Sequence, residues 1–195
     1  GQVVTCDLPA SSDLADFQRR VNSMCAPHLV VRSFEWSESP DFNARYDAAW
    51  RHYRYTVLNT PVPNPFLATT AWHVPRPLDL RLMQLASDPF IGTHDFASFC
   101  RKPVTEEGQR EKTMVRRVLM ARWSDLGEGL LRFDIRATAF CHHMVRSITG
   151  TLVEVGLGQR KPGEMMGILR ARDRSQAGLV APARGLCLWE VAYSA

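Results

Sequence analysis

Lysine is scarce in this sequence. Of 24 basic side chains, only Lys102, Lys112 and Lys161 are lysine, and the rest are arginine. Long apolar runs are missing as well. No stretch reaches the roughly 18 apolar residues that a membrane helix needs, which excludes a chain built of such helices. The opening residues do not read as a secretory signal. Paired cysteine spacings are absent. The five cysteines (Cys6, Cys25, Cys100, Cys141 and Cys187) are odd in number and dispersed. That pattern predicts reduced thiols and a cytoplasmic protein, with neither disulfides nor a zinc site. No glycine-rich phosphate loop, internal repeat or low-complexity segment occurs.

What is present suffices for a core. The chain has 195 residues, 45% of them apolar, enough for one domain of good size or one domain and part of another. Net charge is +4. Arginine presents a planar fork that suits phosphate and stacks on bases, so RNA is a reasonable partner. Arginine-favouring codon usage explains the same bias equally well.

The stretch around which the chain is organised runs from Thr138 to Gly158. Met144, Val145, Ile148, Leu152 and Val155 recur at helical spacing, and Gly156 is placed to end the helix. Two residues do not suit a plain core helix. Arg146 sits among apolar neighbours, and Gly150, one turn later, costs about 1 kcal/mol against alanine. Either the glycine leaves room for backbone or ligand beside the arginine, or Arg146 reaches past the core to solvent and Gly150 is a packing contact.

Elsewhere, Val3 and Val4 look like a strand that starts abruptly, as in a piece beginning inside a domain. A helix is expected within residues 11–25, capped by Asp13, with Leu14, Phe17, Val21 and Met24 on one face. His28 to Trp36 reads as a strand. In residues 50–58, Tyr53, Tyr55 and Val57 point one way and His52, Arg54 and Thr56 the other. Such a ladder is either a solvated sheet face or a surface that stacks bases and pairs phosphates. A helix over 77–86 should bury Leu78, Leu82 and Leu85. Residues 101–112 read as a charged loop. Long strands are expected at 113–123 and 129–138. A helix follows Pro162, with Met165, Met166 and Leu169 inward, and a strand closes the chain near 185–193. Hairpin-linked strands with helices argue for an α+β fold whose mixed, mostly antiparallel sheet has helices packed on one face.

Metal chemistry is not supported, because adjacent Cys141, His142 and His143 would diverge on a helix. No basic helix N-terminus singles out a cysteine nucleophile. More telling is an ordered set: Phe42-Asn43-Ala44-Arg45-Tyr46, Arg51-His52-Tyr53-Arg54-Tyr55, Asp95-Phe96-Ala97-Ser98-Phe99, Phe140-Cys141-His142-His143-Met144-Val145-Arg146, Glu154-Val155-Gly156 and Gly185-Leu186-Cys187-Leu188. In this order the motifs resemble the bacterial tRNA pseudouridine synthase A family, from Gly1 to the C-terminus.

The resemblance implies an isomerase acting on uridines at positions 38–40 of the tRNA anticodon stem-loop, without metal or organic cofactor. Uracil is detached from the ribose at N1, turned, and rejoined through C5, with an aspartate as nucleophile. The nucleotide must leave its stack, which costs a few kcal/mol. Tyr53 matches the family's substrate-contacting tyrosine and Arg146 the arginine that pairs with the aspartate. Arg51, Arg54, Arg101, Lys102, Arg116, Arg117, His142 and His143 are expected to contact RNA. The implied organisation is a remainder of an N-terminal half-domain and crossover over residues 1–47, and a C-terminal synthase domain over 48–195.

The sequence departs from the family at one decisive place. The family's glycine-arginine-threonine-aspartate-alanine-glycine motif precedes a glycine-glutamine-valine-valine segment, and here Gly1-Gln2-Val3-Val4 opens the sequence. No aspartate present occupies the nucleophile's context. Asn43 replaces a common histidine, and Cys187 an often-found tyrosine. The chain is therefore expected to be inactive alone, with Arg146 relieved of a lost partner. Strands near Val3, Val4 and Tyr53 are expected to lack neighbours and to promote homodimers or other self-association. The alternative is a non-catalytic RNA-binding or assembly module. A plain α+β interaction domain is the third reading.

Overall fold

The computed structural model describes residues 1–101 and 113–193. The chain divides into two compact units, residues 3–47 and a larger unit of Gly1–Gln2 with Ala48–Ala195.

In the smaller unit, α1 spans Leu14–Cys25. Asp13 caps it by accepting from the amides of Ala15 at 2.9 Å and Asp16 at 3.1 Å. Phe17 meets Phe34, with ring centroids 5.2 Å apart. The predicted strands at Val3–Val4 and His28–Trp36 do not form. Side chains of α1 take up the second segment instead. Asn22 bonds both the carbonyl and the amide of Val31, at 3.0 and 2.6 Å, and Gln18 reaches the Val31 and Arg32 carbonyls at 2.9 Å. Alternating apolar residues make a strand only where another strand accepts their ladder. Met24, expected inward, is 85% exposed.

The larger unit is built on a six-stranded sheet. β1 (Trp50–Leu58) lies at its centre. It pairs along its length with β5 (Leu130–Ala137), and on its other side with β2 (Trp72–His73) and β6 (Leu186–Ala192). β4 (Val115–Asp125) and β3 (Gly92–Asp95) extend the sheet beyond β5. All pairings are antiparallel except β1–β2, so the fold is α+β with a mostly antiparallel sheet, as the hairpin signals predict. The strand carrying Tyr53 does not lack neighbours: β5 and β6 flank it. Glu128, with φ 52°, and Gly127 and Gly129, with φ 86° and 76°, close the β4–β5 hairpin.

One sheet face carries Tyr55, Val57, Phe133 and Ile135, all fully buried in the same core. Each such burial contributes about 2 kcal/mol. Against it pack α2 (Leu80–Ser87), α3 (Met144–Gly156) and α4 (Met165–Ala171). α2 starts three residues later than predicted because Asp79 caps it, accepting from the Leu82 amide at 2.9 Å. Its stripe is accordingly Met83, Ala86 and Ser87, while Leu85 is 57% exposed. Met165 and Leu169 of α4 are buried, as expected. α3 ends at Gly156, as predicted; a methyl there would press on Met83 and Leu78, and the positive φ falls two residues on, at Gly158.

The sulfurs of Cys100 and Cys141 are in contact, with Cα atoms 5.8 Å apart, the spacing of a disulfide. The expectation of dispersed thiols fails for this pair because 41 residues of sequence separate two positions that the fold makes adjacent.

Candidate active site

Strand alternation determines which ladder residues can meet helix α3. Tyr53 and Tyr55 fall on the helix-bearing face of β1, and His52 and Arg54 on the other. Tyr53 is half-buried, its ring edge-on to Phe140 at 5.0 Å and 83°. Burial raises the pKa of its hydroxyl, against the nearby charge of Arg51. Arg51 donates to the carbonyls of Thr138 at 2.9 Å and Ala48 at 3.4 Å, just beyond β5 and before β1.

Phe140 leads into a turn that carries two histidines to the start of α3. His143 is the residue before the helix and holds a left-handed backbone, φ 69°. This bend lays its ring on that of His142, with centroids 4.1 Å apart, instead of letting the two diverge as helical neighbours would. The Arg101 amide donates to the His142 carbonyl at 2.9 Å, tying the Cys100 segment to the same corner. Burial lowers the pKa of His143, and the positive charges of His142, Arg146, Arg101 and Arg174 lower it further. Five cationic or titratable groups thus crowd one corner, as an anion site requires.

Arg146, in the first turn of α3, is half-buried. Its Nε donates to the Ala181 carbonyl at 2.6 Å, and the Ala181 amide returns a bond to the Arg146 carbonyl at 3.1 Å. Among the described residues no carboxylate pairs with it. Its bonded partner among the described residues is a backbone carbonyl. Below it Tyr55 donates its hydroxyl to the Pro182 carbonyl at 2.6 Å. Burial pushes the Tyr55 hydroxyl well above its ordinary pKa, with the charges of Arg146 and Arg184 opposing. Gly185 leaves the space that the Tyr55 ring and the Thr56 carbonyl occupy.

Arg54 stands apart from this group. On the opposite sheet face, buried Asp134 accepts from His52 Nε2 at 2.9 Å, Arg54 Nε at 3.0 Å and Arg132 Nε at 2.7 Å. Burial pushes the Asp134 carboxyl up, but the bonds from Arg132, Arg54 and His52 outweigh it and hold the pKa below the ordinary value. Arg54 also lies over the Trp189 ring, 3.6 Å from its centroid. The β4 register splits the other pair. Arg116 shares the parity of buried Val118 and Arg117 takes the opposite one. Arg116 Nη1 bonds the carbonyls of Thr113 and Val115 at 2.8 and 2.7 Å, and burial lowers its pKa. Lys102 lies outside the described residues. Arg174 and Arg184 were not foreseen at the site; their position depends on the 174–185 segment crossing α3, which no local pattern announces.

A family profile described as tRNA pseudouridine synthase matches residues 86–194. The tRNA pseudouridine synthase A of Moorella thermoacetica is 43% identical over 193 residues, covering 99% of this chain and 76% of that protein. That of Bacillus licheniformis is 38% identical, covering 99% and 75%, and that of Gluconobacter oxydans 36% identical, covering 99% and 69%. The chain belongs to the tRNA pseudouridine synthase family, whose members are isomerases.

Proposed function

We propose that this chain serves the isomerisation of uridine to pseudouridine in tRNA, at positions 38–40 of the anticodon stem-loop, in the cytoplasm where tRNA resides. The observation that carries this reading is Arg146, held at Nε by the Ala181 carbonyl on the helix that follows Phe140, whose ring meets that of Tyr53. A guanidinium anchored at Nε offers its two Nη groups as a fork, the shape that pairs with a carboxylate. An aspartate so paired stays ionised and is aimed at the flipped nucleotide. Tyr53 stacks on the uracil. The N1–C1′ bond breaks, the base turns, and C5 bonds to C1′; the C5 proton leaves and N1 gains one, so the step is balanced with no cofactor.

Arg51, Arg101, Arg116, His142 and His143 bind the RNA backbone around this point, and Arg117 and Lys102 extend that contact. Arg54, bonded to Asp134 and stacked on Trp189, serves the sheet first. The 195-residue chain by itself turns over no uridine, because no carboxylate among the described residues faces Arg146. Losing a nucleophile in a well-characterised protease costs about a millionfold in turnover, which sets the scale. Pseudouridine formed in a tRNA transcript by the purified chain would refute that statement.

A second reading, a non-catalytic RNA-binding module, is favoured by the same lack of a facing acid. Both readings require tRNA binding that weakens steeply with salt. Self-association follows from apolar side chains left outward in residues 3–47, among them Val4, Val30 and Trp36. Light scattering at high concentration checks it, and a monodisperse monomer would count against it.

A further inference from the structure

Arg146, Gly150 and Glu154 are spaced four residues apart on α3 and so share one face, with Thr151 beside them. The 177–182 segment lies along this face. The Gly178 amide donates to Thr151 Oγ1 at 2.9 Å, and the Leu179 amide to Glu154 Oε1 at 3.0 Å. A methyl on Gly150 would run into the Leu179 carbonyl, and one on Gly178 into the Glu154 carboxylate. Glycine at both positions lets the segment lie directly on the helix. Glu154 is itself fixed by Arg160, whose Nε donates to Oε2 at 2.5 Å. Two residues further on, Ala181 presents the carbonyl that takes Arg146 Nε at 2.6 Å. Arg174 steadies the near end, with Nη1 on the Ala177 carbonyl at 3.2 Å and Nη2 on that of Gly178 at 3.0 Å.

We propose that Glu154 and Thr151 are positioning residues for Arg146. They anchor the 178–179 backbone, and the anchored backbone places the Ala181 carbonyl that sets the plane of the guanidinium. An arginine held only at its Cα has several rotatable bonds, and its fork sweeps a wide arc. Held at Nε, it keeps its Nη edge in one direction. The helix thus aims its own arginine through a loop that it grips two turns below. The inference rests on Arg146 being the partner of a carboxylate, but its test does not.

The test is exchange of the Arg146 Nε proton with solvent, read by NMR on the 195-residue chain labelled with 15N-arginine and assigned with Arg146→Lys. Each hydrogen bond contributes about 1 kcal/mol, so Glu154→Ala and Thr151→Val should each speed this exchange at least about fivefold. Glu154→Gln and Thr151→Ser keep the acceptor and should restore slow exchange, although Glu154→Gln loses the charge facing Arg160. Amides of Leu152 and Val153, in the middle of α3, report general loosening. Faster exchange confined to Arg146 and the Gly178 and Leu179 amides supports the proposal. Unchanged Arg146 exchange in Glu154→Ala, or a rise matched at Leu152, overturns it. Such a failure leaves the role of Arg146 intact, since that is read separately from pseudouridine formation by Arg146 variants.

Discussion

Arg146 and Ala181 are joined twice, side chain to carbonyl at 2.6 Å and amide to carbonyl at 3.1 Å. Thirty-five positions apart in sequence, they act as one unit. The second bond locks the backbone that makes the first, so the guanidinium's direction depends on the loop as much as on the helix.

Arg146→Lys should separate charge from geometry. Lysine keeps the charge but lacks the Nε bond to Ala181 and the planar fork. In a preparation that carries the facing carboxylate, pseudouridine formation should fall about a hundredfold, the scale of a misplaced reacting group. tRNA affinity, measured by filter binding, should change little.

Asp134→Asn should destabilise the larger unit. Three donors converge on a carboxylate whose residue is only 7% exposed, and the change leaves them facing a neutral amide. The expected loss is about 2 kcal/mol in urea unfolding, less than for a fully buried pair because Arg54 and Arg132 reach solvent. The pH dependence has a definite sign. The folded pKa lies below the ordinary one, so the unfolded chain takes up this proton first as pH falls. The contribution is full above the ordinary carboxylate range and is lost as pH falls through the folded value. The variant should flatten the acid limb of the stability curve.

His143 should act in the opposite chemical sense. Its folded pKa is below the ordinary 6.5, so the neutral ring is favoured in the native state. As pH falls through about 6.5, the unfolded chain gains a proton that the folded chain refuses, and stability drops until the folded pKa is passed. His143→Asn suits the left-handed backbone and removes the titration. Denaturant midpoints from neutral to mildly acidic pH should fall less steeply in the variant.

Gly150→Ala and Gly156→Ala should differ although both add a methyl to the same helix. Helix propensity gains about 1 kcal/mol at Gly150, inside the helix, and less at Gly156, its last residue. At Gly156 the obstacles are Sδ and Cγ of buried Met83 and a methyl of Leu78, side chains that can repack where backbone cannot, so the net loss should be smaller. At Gly150 the obstacle is the Leu179 carbonyl, which is backbone and cannot move without breaking the Ala181 bonds. A net loss of about 2 kcal/mol is expected there, within the usual range for overpacking. Thermal unfolding of the two variants, side by side, checks the contrast.

Much of the larger unit is readable from local pattern. Alternation at residues 50–58 and 130–137, and helical spacing from Met144, encode elements that the structure contains. The split between Tyr53 and Arg54 is also local, because successive strand residues face opposite ways. Residues 28–36 show the limit of such reading. Their alternation is strand-like, yet Asn22 and Gln18 hold them without a ladder. β3 escaped notice because four residues give too short a period to register. The Cys100–Cys141 contact and the stacked histidines depend on a turn whose left-handed residue no periodicity reveals.

By itself the sequence determined the kind of fold, the family, and the placing of an arginine in the first turn of an apolar helix, because these depend on residue identity and short-range spacing. Only the tertiary structure decided what that arginine touches. Its partner is a carbonyl brought from far along the chain, and long-range closure of that kind follows from how the 177–182 segment settles on Gly150, Thr151 and Glu154, not from any pattern within the segment.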